Sequence, residues 1–69
     1  MRTLELKRRT GRGVISVYKM PREDIGAIYR DDYPEPGPVY CLENNLTSGP
    51  LTFWYTQDYG QALAWFHAA

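Results

Sequence analysis

Catalysis needs groups that converge, and this chain offers few that could. Its one cysteine and one histidine, Cys41 and His67, are the pair able to act as thiolate nucleophile and general base. Cys41 falls in "VYCLE", a run that reads as a strand in which a small thiol fills a core position. His67 falls in the last turn of a terminal helix, where an imidazolium complements the helix dipole. Asp31, Asp32 and Glu35 gather the oxygen ligands that hard cations take, but without EF-hand spacing or its glycine they read as a solvated acidic loop. The glycines of "TGRGV" lead into a β-branched run, so no helix N-terminus follows to hold a phosphate. The expectation is a protein that is not an enzyme and uses no cofactor or metal.

Recognition chemistry is better supplied. "KRRTGRG" sets Lys7, Arg8, Arg9 and Arg12 around a predicted hairpin tip, where four cations could straddle phosphates while Tyr18 and Trp54 stack on bases. The same residues also read as a charged turn that keeps a sheet edge from aggregating. A net charge of zero and a pI near 6.5 weigh against a dedicated nucleic-acid binder, which carries a domain-wide basic excess. The charge is nevertheless lopsided. All eight Lys and Arg precede residue 31, so residues 1–30 carry +5 after Glu5, Glu23 and Asp24 are subtracted, and the remainder carries −5. Such polarity orients an approaching partner if the two halves of the sequence become two sides of the molecule.

"LTFWYTQ", residues 51–57, places three aromatic residues in succession. A strand sends neighbouring side chains to opposite faces, so if Phe53 and Tyr55 enter a core, Trp54 faces away from it. With Leu4, Leu6, Ile15, Val17 and Leu51 beside Phe53 and Tyr55 on a helix-covered face, the opposite face receives Lys7, Arg9, Ser16, Tyr18, Thr52 and Trp54. Tyr40 joins them if Val39 and Cys41 point inward. Aromatic area flanked by cations is what a recognition surface needs. The competing reading folds Trp54 under the proline-rich loop "DYPEPGP" or the N-terminal segment, and pairing of two copies through the same face is a third.

The elements that must position these residues follow from their patterns. "TLELK" alternates, two glycines supply a reversal, and "VISVYKM" returns as a β-branched strand ended by Pro21, which makes a hairpin. "PREDIGAIYRDDY" begins with proline and two acids and spaces Ile25, Ile28 and Tyr29 along one stripe, predicting a short helix weakened by Gly26. The three prolines of "YPEPGP" dictate a loop. "VYCLE" and "LTFWYT" flank a connection of turn formers and predict a second hairpin. In "TQDYGQALAWFHAA", Thr56 is the expected N-cap and Tyr59, Ala62, Leu63 and Phe66 recur at helical spacing, with Trp65 broadening the stripe. The expectation is an α+β fold, a ββαββα-like domain with an antiparallel sheet and helices packed on one face.

A chain of 69 residues supports a single domain, residues 1–69, and buries only about 60% of the surface its unfolded form exposes. One cysteine allows no internal disulfide, and "MRTLELKRR" lacks the apolar run of a signal peptide or membrane span, which points to the cytoplasm and away from membranes. "NLT" at residues 45–47 fits a glycosylation sequon but reads as turn chemistry in that setting. No family is identified by these residues. The closing pattern, an aromatic strand and then a capped helix ending in "AWF", is similar over the last quarter of the chain to that of many small α+β proteins, some phage-encoded anti-CRISPR proteins among them. A chain this short without a catalytic set also resembles the stand-alone proteins with which phages and mobile elements block a host component. The expected function is a small protein-binding module, an inhibitor by surface occlusion, using Trp54, Tyr18, Tyr40, Lys7, Arg8, Arg9 and Arg12. The alternative is a nucleic-acid-binding module built on the basic hairpin, and a homodimer is compatible with either.

Overall fold

The computed structural model describes residues 1–34, 36–47, 49 and 51–68. Four strands, β1 (Thr3–Thr10), β2 (Gly13–Pro21), β3 (Pro38–Leu46) and β4 (Thr52–Thr56), form one antiparallel sheet in the order β1-β2-β3-β4, and α2 (Tyr59–Ala68) closes the chain. Both expected hairpins are present. Gly13, where β2 leaves the first turn, passes so close to β3 that a Cβ built there would lie 2.2 Å from the Asn45 carbonyl oxygen. The expected helix between β2 and β3 is instead two single turns, a 3-10 turn at Arg22–Ile25 and α1 (Ala27–Arg30), separated by Gly26 at φ +87°. That backbone value interrupts a helix and is open to glycine without steric cost. One helix longer than a turn therefore packs on the sheet. Asp58, rather than Thr56, caps it: its Oδ1 accepts from the Gly60 amide at 2.9 Å, while Thr56 Oγ1 accepts from the Asp58 amide at 3.0 Å.

The register fixes which residues share a face, because residues directly opposite in a ladder project to the same side. Leu6, Val17, Leu42 and Trp54 form one row, and Arg8, Ile15, Asn44 and Thr52 the next. This is the helix side, where Ile15, Val17 and Leu42 pack with Ala62 and Phe66 of α2, flanked by Leu6, Tyr40 and Trp65. The expected alternation thus holds for Leu6, Ile15 and Val17 and is reversed in β4. Trp54 lies on the helix side, and Phe53 and Tyr55 lie on the other. Leu4 also changes sides, because a bulge between Leu4 and Leu6 breaks the alternation of β1.

The second face is covered at its centre. Ser16, Val39 and Cys41 are buried there, beneath two coverings. Arg2 lays its guanidinium 3.9 Å from the Tyr18 ring centroid and 3.8 Å from a Glu43 carboxylate oxygen. The segment after β2 folds back so that the Tyr33 hydroxyl donates to the Tyr55 carbonyl at 3.4 Å. Arg22 holds that segment in shape by donating to the carbonyls of Arg30, at 2.8 Å, and Tyr33. The covering is partial, since Lys7, Arg9 and Phe53 on the same face remain exposed.

Candidate functional site

The edge formed by β4 carries the largest gathering of aromatic side chains. Tyr29, Tyr33, Phe53, Trp54, Tyr55 and Trp65, with Asp32, line a groove of about 620 Å³. Three elements position them. β4 sends Phe53 and Tyr55 to one side and Trp54 to the other. The segment around α1 brings Tyr29, Asp32 and Tyr33 to the first side, and α2 brings Trp65 to the second, where its ring meets Trp54 edge-on with centroids 5.6 Å apart. Tyr29, Phe53 and Trp54 remain 57%, 41% and 43% exposed. Large half-exposed rings around one strand edge combine rigid contact area with a low entropy cost of ordering.

Burial shapes the electrostatics on the covered side. It raises the pKa of the Tyr33 phenol, with Asp32 and Cys41 adding to the effect. It also raises those of the Cys41 thiol and the Tyr55 phenol, which hydrogen-bond to each other. All three groups are neutral at physiological pH and act as packing and hydrogen-bonding groups there. Among the described residues no Lys or Arg lines the groove. Lys7, Arg8 and Arg9 lie on β1, the edge strand opposite β4, while β4 and α2 carry neither Lys nor Arg.

The residues expected to form one recognition surface are divided. Trp54 and Tyr40 are on the helix side, Tyr40 with its ring centroid 5.0 Å from that of Tyr59, whereas Tyr18, Lys7 and Arg9 are on the other face. Tyr18 is stacked by Arg2. Arg8 turns toward the helix and donates to the Phe66 carbonyl. The exposed cations Lys7, Arg9 and Arg12 lie on or beside β1, across the sheet from Trp54, a separation of roughly 14 Å for three strand spacings. Tyr29, Tyr33 and Trp65 were absent from the expected set. Their signal in the sequence was only aromatic type, since nothing local indicates that residues 29–33 fold back to β4.

Cys41 and His67 are not brought together, because Cys41 faces away from α2 and His67 rides on α2, exposed and edge-on to the Phe66 ring. Glu35 lies outside the described residues, and among those described no three His, Cys, Asp or Glu side chains are grouped to hold a metal. No helix of the described residues is long and apolar enough to cross a membrane. No family model matches the chain, and no curated protein or solved structure matches it.

Proposed function

We propose that this protein is a small binding module that acts in the cytoplasm by occupying a surface of another protein, as a stand-alone inhibitor of phage or mobile-element type would. The observation that carries the reading is the groove at β4, where half-exposed Tyr29, Phe53 and Trp54 surround a strand with no strand neighbour on its outer side. A 69-residue chain has little apolar surface to leave unburied without a use for it. The nucleic-acid alternative retains Lys7, Arg9 and Arg12 as exposed cations, but Trp54 lies on the opposite face from Lys7 and Arg9, and Tyr18, on their own face, is stacked by Arg2. Affinity capture from a native host lysate separates the two readings. Recovery of one protein that resists nuclease and fails with Trp54→Ala is expected. Recovery abolished by nuclease and by loss of Arg9 and Arg12 would overturn the protein-binding reading in favour of the alternative.

A further inference from the structure

Two arginines of this chain are held in a similar way. Arg2 has its guanidinium 3.9 Å from the Tyr18 ring centroid and 3.8 Å from a Glu43 carboxylate oxygen. Arg8 lies 5.3 Å from the Phe66 ring centroid and donates to the Phe66 carbonyl. Each pairs one guanidinium with an aromatic ring and an oxygen acceptor, as suits a planar, weakly hydrated cation. The groove beside β4 holds the receiving half of such an arrangement. Tyr29, Tyr33, Phe53, Tyr55 and the Asp32 carboxylate line it, and among the described residues no Lys or Arg does. Asp32 is exposed and makes no salt bridge among those residues. The segment that carries it is fixed by the chain itself. The Asp32 and Tyr33 amides donate to the carbonyls of Tyr29 and Arg30, at 3.1 and 3.2 Å, and Arg22 donates to the carbonyls of Arg30 and Tyr33. The Tyr33 hydroxyl is anchored on the Tyr55 carbonyl. Groups ordered in advance cost less to engage.

We infer that the groove receives an arginine side chain displayed by the partner protein, its guanidinium stacked on the tyrosine and phenylalanine rings and paired with Asp32. This names the partner chemistry of the site proposed above and rests on that reading. Arginine is enriched among the residues that dominate protein interfaces. Its aliphatic stem packs along the uncharged wall made by Trp54 and Trp65, while its charged end stays at the wet rim. Other occupants fit less well. An acidic group meets Asp32 with no cation in the groove to offset the repulsion. A lysine ammonium is a compact, strongly hydrated point charge that gains less from flat rings. A quaternary ammonium has no N–H to give the carboxylate and is recognised by a cage of rings, whereas Tyr29, Phe53 and Trp54 are half-exposed around an open groove.

N-acetylarginine amide is the probe, titrated at low ionic strength against the intact protein and read by backbone and side-chain chemical shifts. Saturable shifts centred on Tyr29, Asp32, Tyr33 and Phe53 are expected. Affinity should fall roughly two- to five-fold in Asp32→Asn, as for an exposed ion pair, and by a similar factor in Phe53→Ala, as for an exposed cation–π contact. The citrulline amide, a neutral isostere, and the lysine amide should both bind more weakly. No saturable binding, equal binding of the citrulline or lysine amide, or shifts centred elsewhere on the sheet would overturn the inference. So would an affinity unchanged by Asp32→Asn or by Phe53→Ala. Tighter binding of tetramethylammonium would also overturn it, making an alkylated ammonium the occupant. If these tests fail while Trp54-dependent, nuclease-resistant capture persists, the protein-binding reading stands without the arginine anchor. If capture does not depend on Trp54, that reading itself falls.

Discussion

The guanidinium of Arg8 donates to the Phe66 carbonyl at 2.7 Å and lies 5.3 Å from the Phe66 ring centroid, tying the outer strand β1 to the last turn of α2. The carbonyls of a helix's last turn have no intrahelical donors, and a cation there also offsets the negative end of the dipole. Arg8 thus joins the two ends of the chain over the face where Ile15 and Phe66 pack.

It follows that the arginines of the first hairpin are not equivalent. Arg8→Ala should lower unfolding free energy by about 1.5–3 kcal/mol, the range for a hydrogen bond from a charged group. Arg9→Ala and Arg12→Ala, at exposed positions, should each stay within about 0.5 kcal/mol of the parent. Urea unfolding of the three single variants measures this directly. Equal midpoints for all three would show that the Arg8 contact contributes nothing in solution.

A second contrast separates the core under α2 from the groove at β4. Leu42 is 1% exposed and Phe66 7%, so Leu42→Ala should cost about 2–5 kcal/mol and Phe66→Ala about 3–5 kcal/mol. Phe53 and Trp54 are each more than two-fifths exposed, and alanine at either position should leave a folded protein. Of the two, Trp54→Ala should cost more, because it also removes the edge contact with Trp65, worth about 0.5–1.5 kcal/mol beyond area. Thermal melts of the four variants should separate into two groups, and a Phe53→Ala chain that fails to fold would contradict the placement of that ring at the groove.

The strands were legible because Leu6 sits between Glu5 and Lys7 and because Val14, Ile15 and Val17 make a β-branched run, and the helix because Ala62 and Phe66 recur at its period. Pattern alone could not orient β4. Phe53, Trp54 and Tyr55 are all large and apolar enough for a core, so period two permits either assignment, and the choice is made by the pairing of Leu42 with Trp54. Nor does any local pattern reveal that Arg2 and Tyr33 cover the second face, since both act through contacts with residues far along the chain. The groove inherits both gaps. Its strand was recognised, but its sidedness and the residues reaching it from Tyr29 to Tyr33 are products of tertiary packing.

Close approach at the first hairpin gives a sharp test of register. Alanine at Gly13 would place its Cβ 2.2 Å from the Asn45 oxygen and 2.7 Å from the Leu46 Cα, both main-chain atoms, whereas Gly11 has nothing within 4 Å. Gly13→Ala should therefore destabilise by roughly 1–3 kcal/mol or more, as overpacking against backbone does, and Gly11→Ala should be close to neutral. Hydrogen exchange should show the loss first in amides shared by β2 and β3. Equal stability of the two variants would mean that β3 does not pass Gly13 in this register.

The last expectation concerns alkaline pH and rests on the buried side of β4. Cys41 is 2% exposed, and burial is the leading cause of the upward pKa shifts of Cys41, Tyr33 and Tyr55. Each group is neutral when protonated, so a raised folded-state pKa means that the native chain holds its proton where the unfolded chain has released it. Unfolding free energy then falls as pH rises, since the unfolded state binds fewer protons. The contribution is complete below the ordinary thiol value of 9.0 and phenol value of 10.0 and is lost as pH climbs through the raised values. Stability should thus be flat in this respect near neutrality and decline above about pH 9. Cys41→Ala should flatten the earliest part of that decline while leaving the tyrosine part, and the native thiol should resist a disulfide reagent at neutral pH yet react at once in denaturant. A native thiol that reacts at the denatured rate, or an alkaline limb unchanged by Cys41→Ala, would place Cys41 at the surface and reverse the assignment of the two faces.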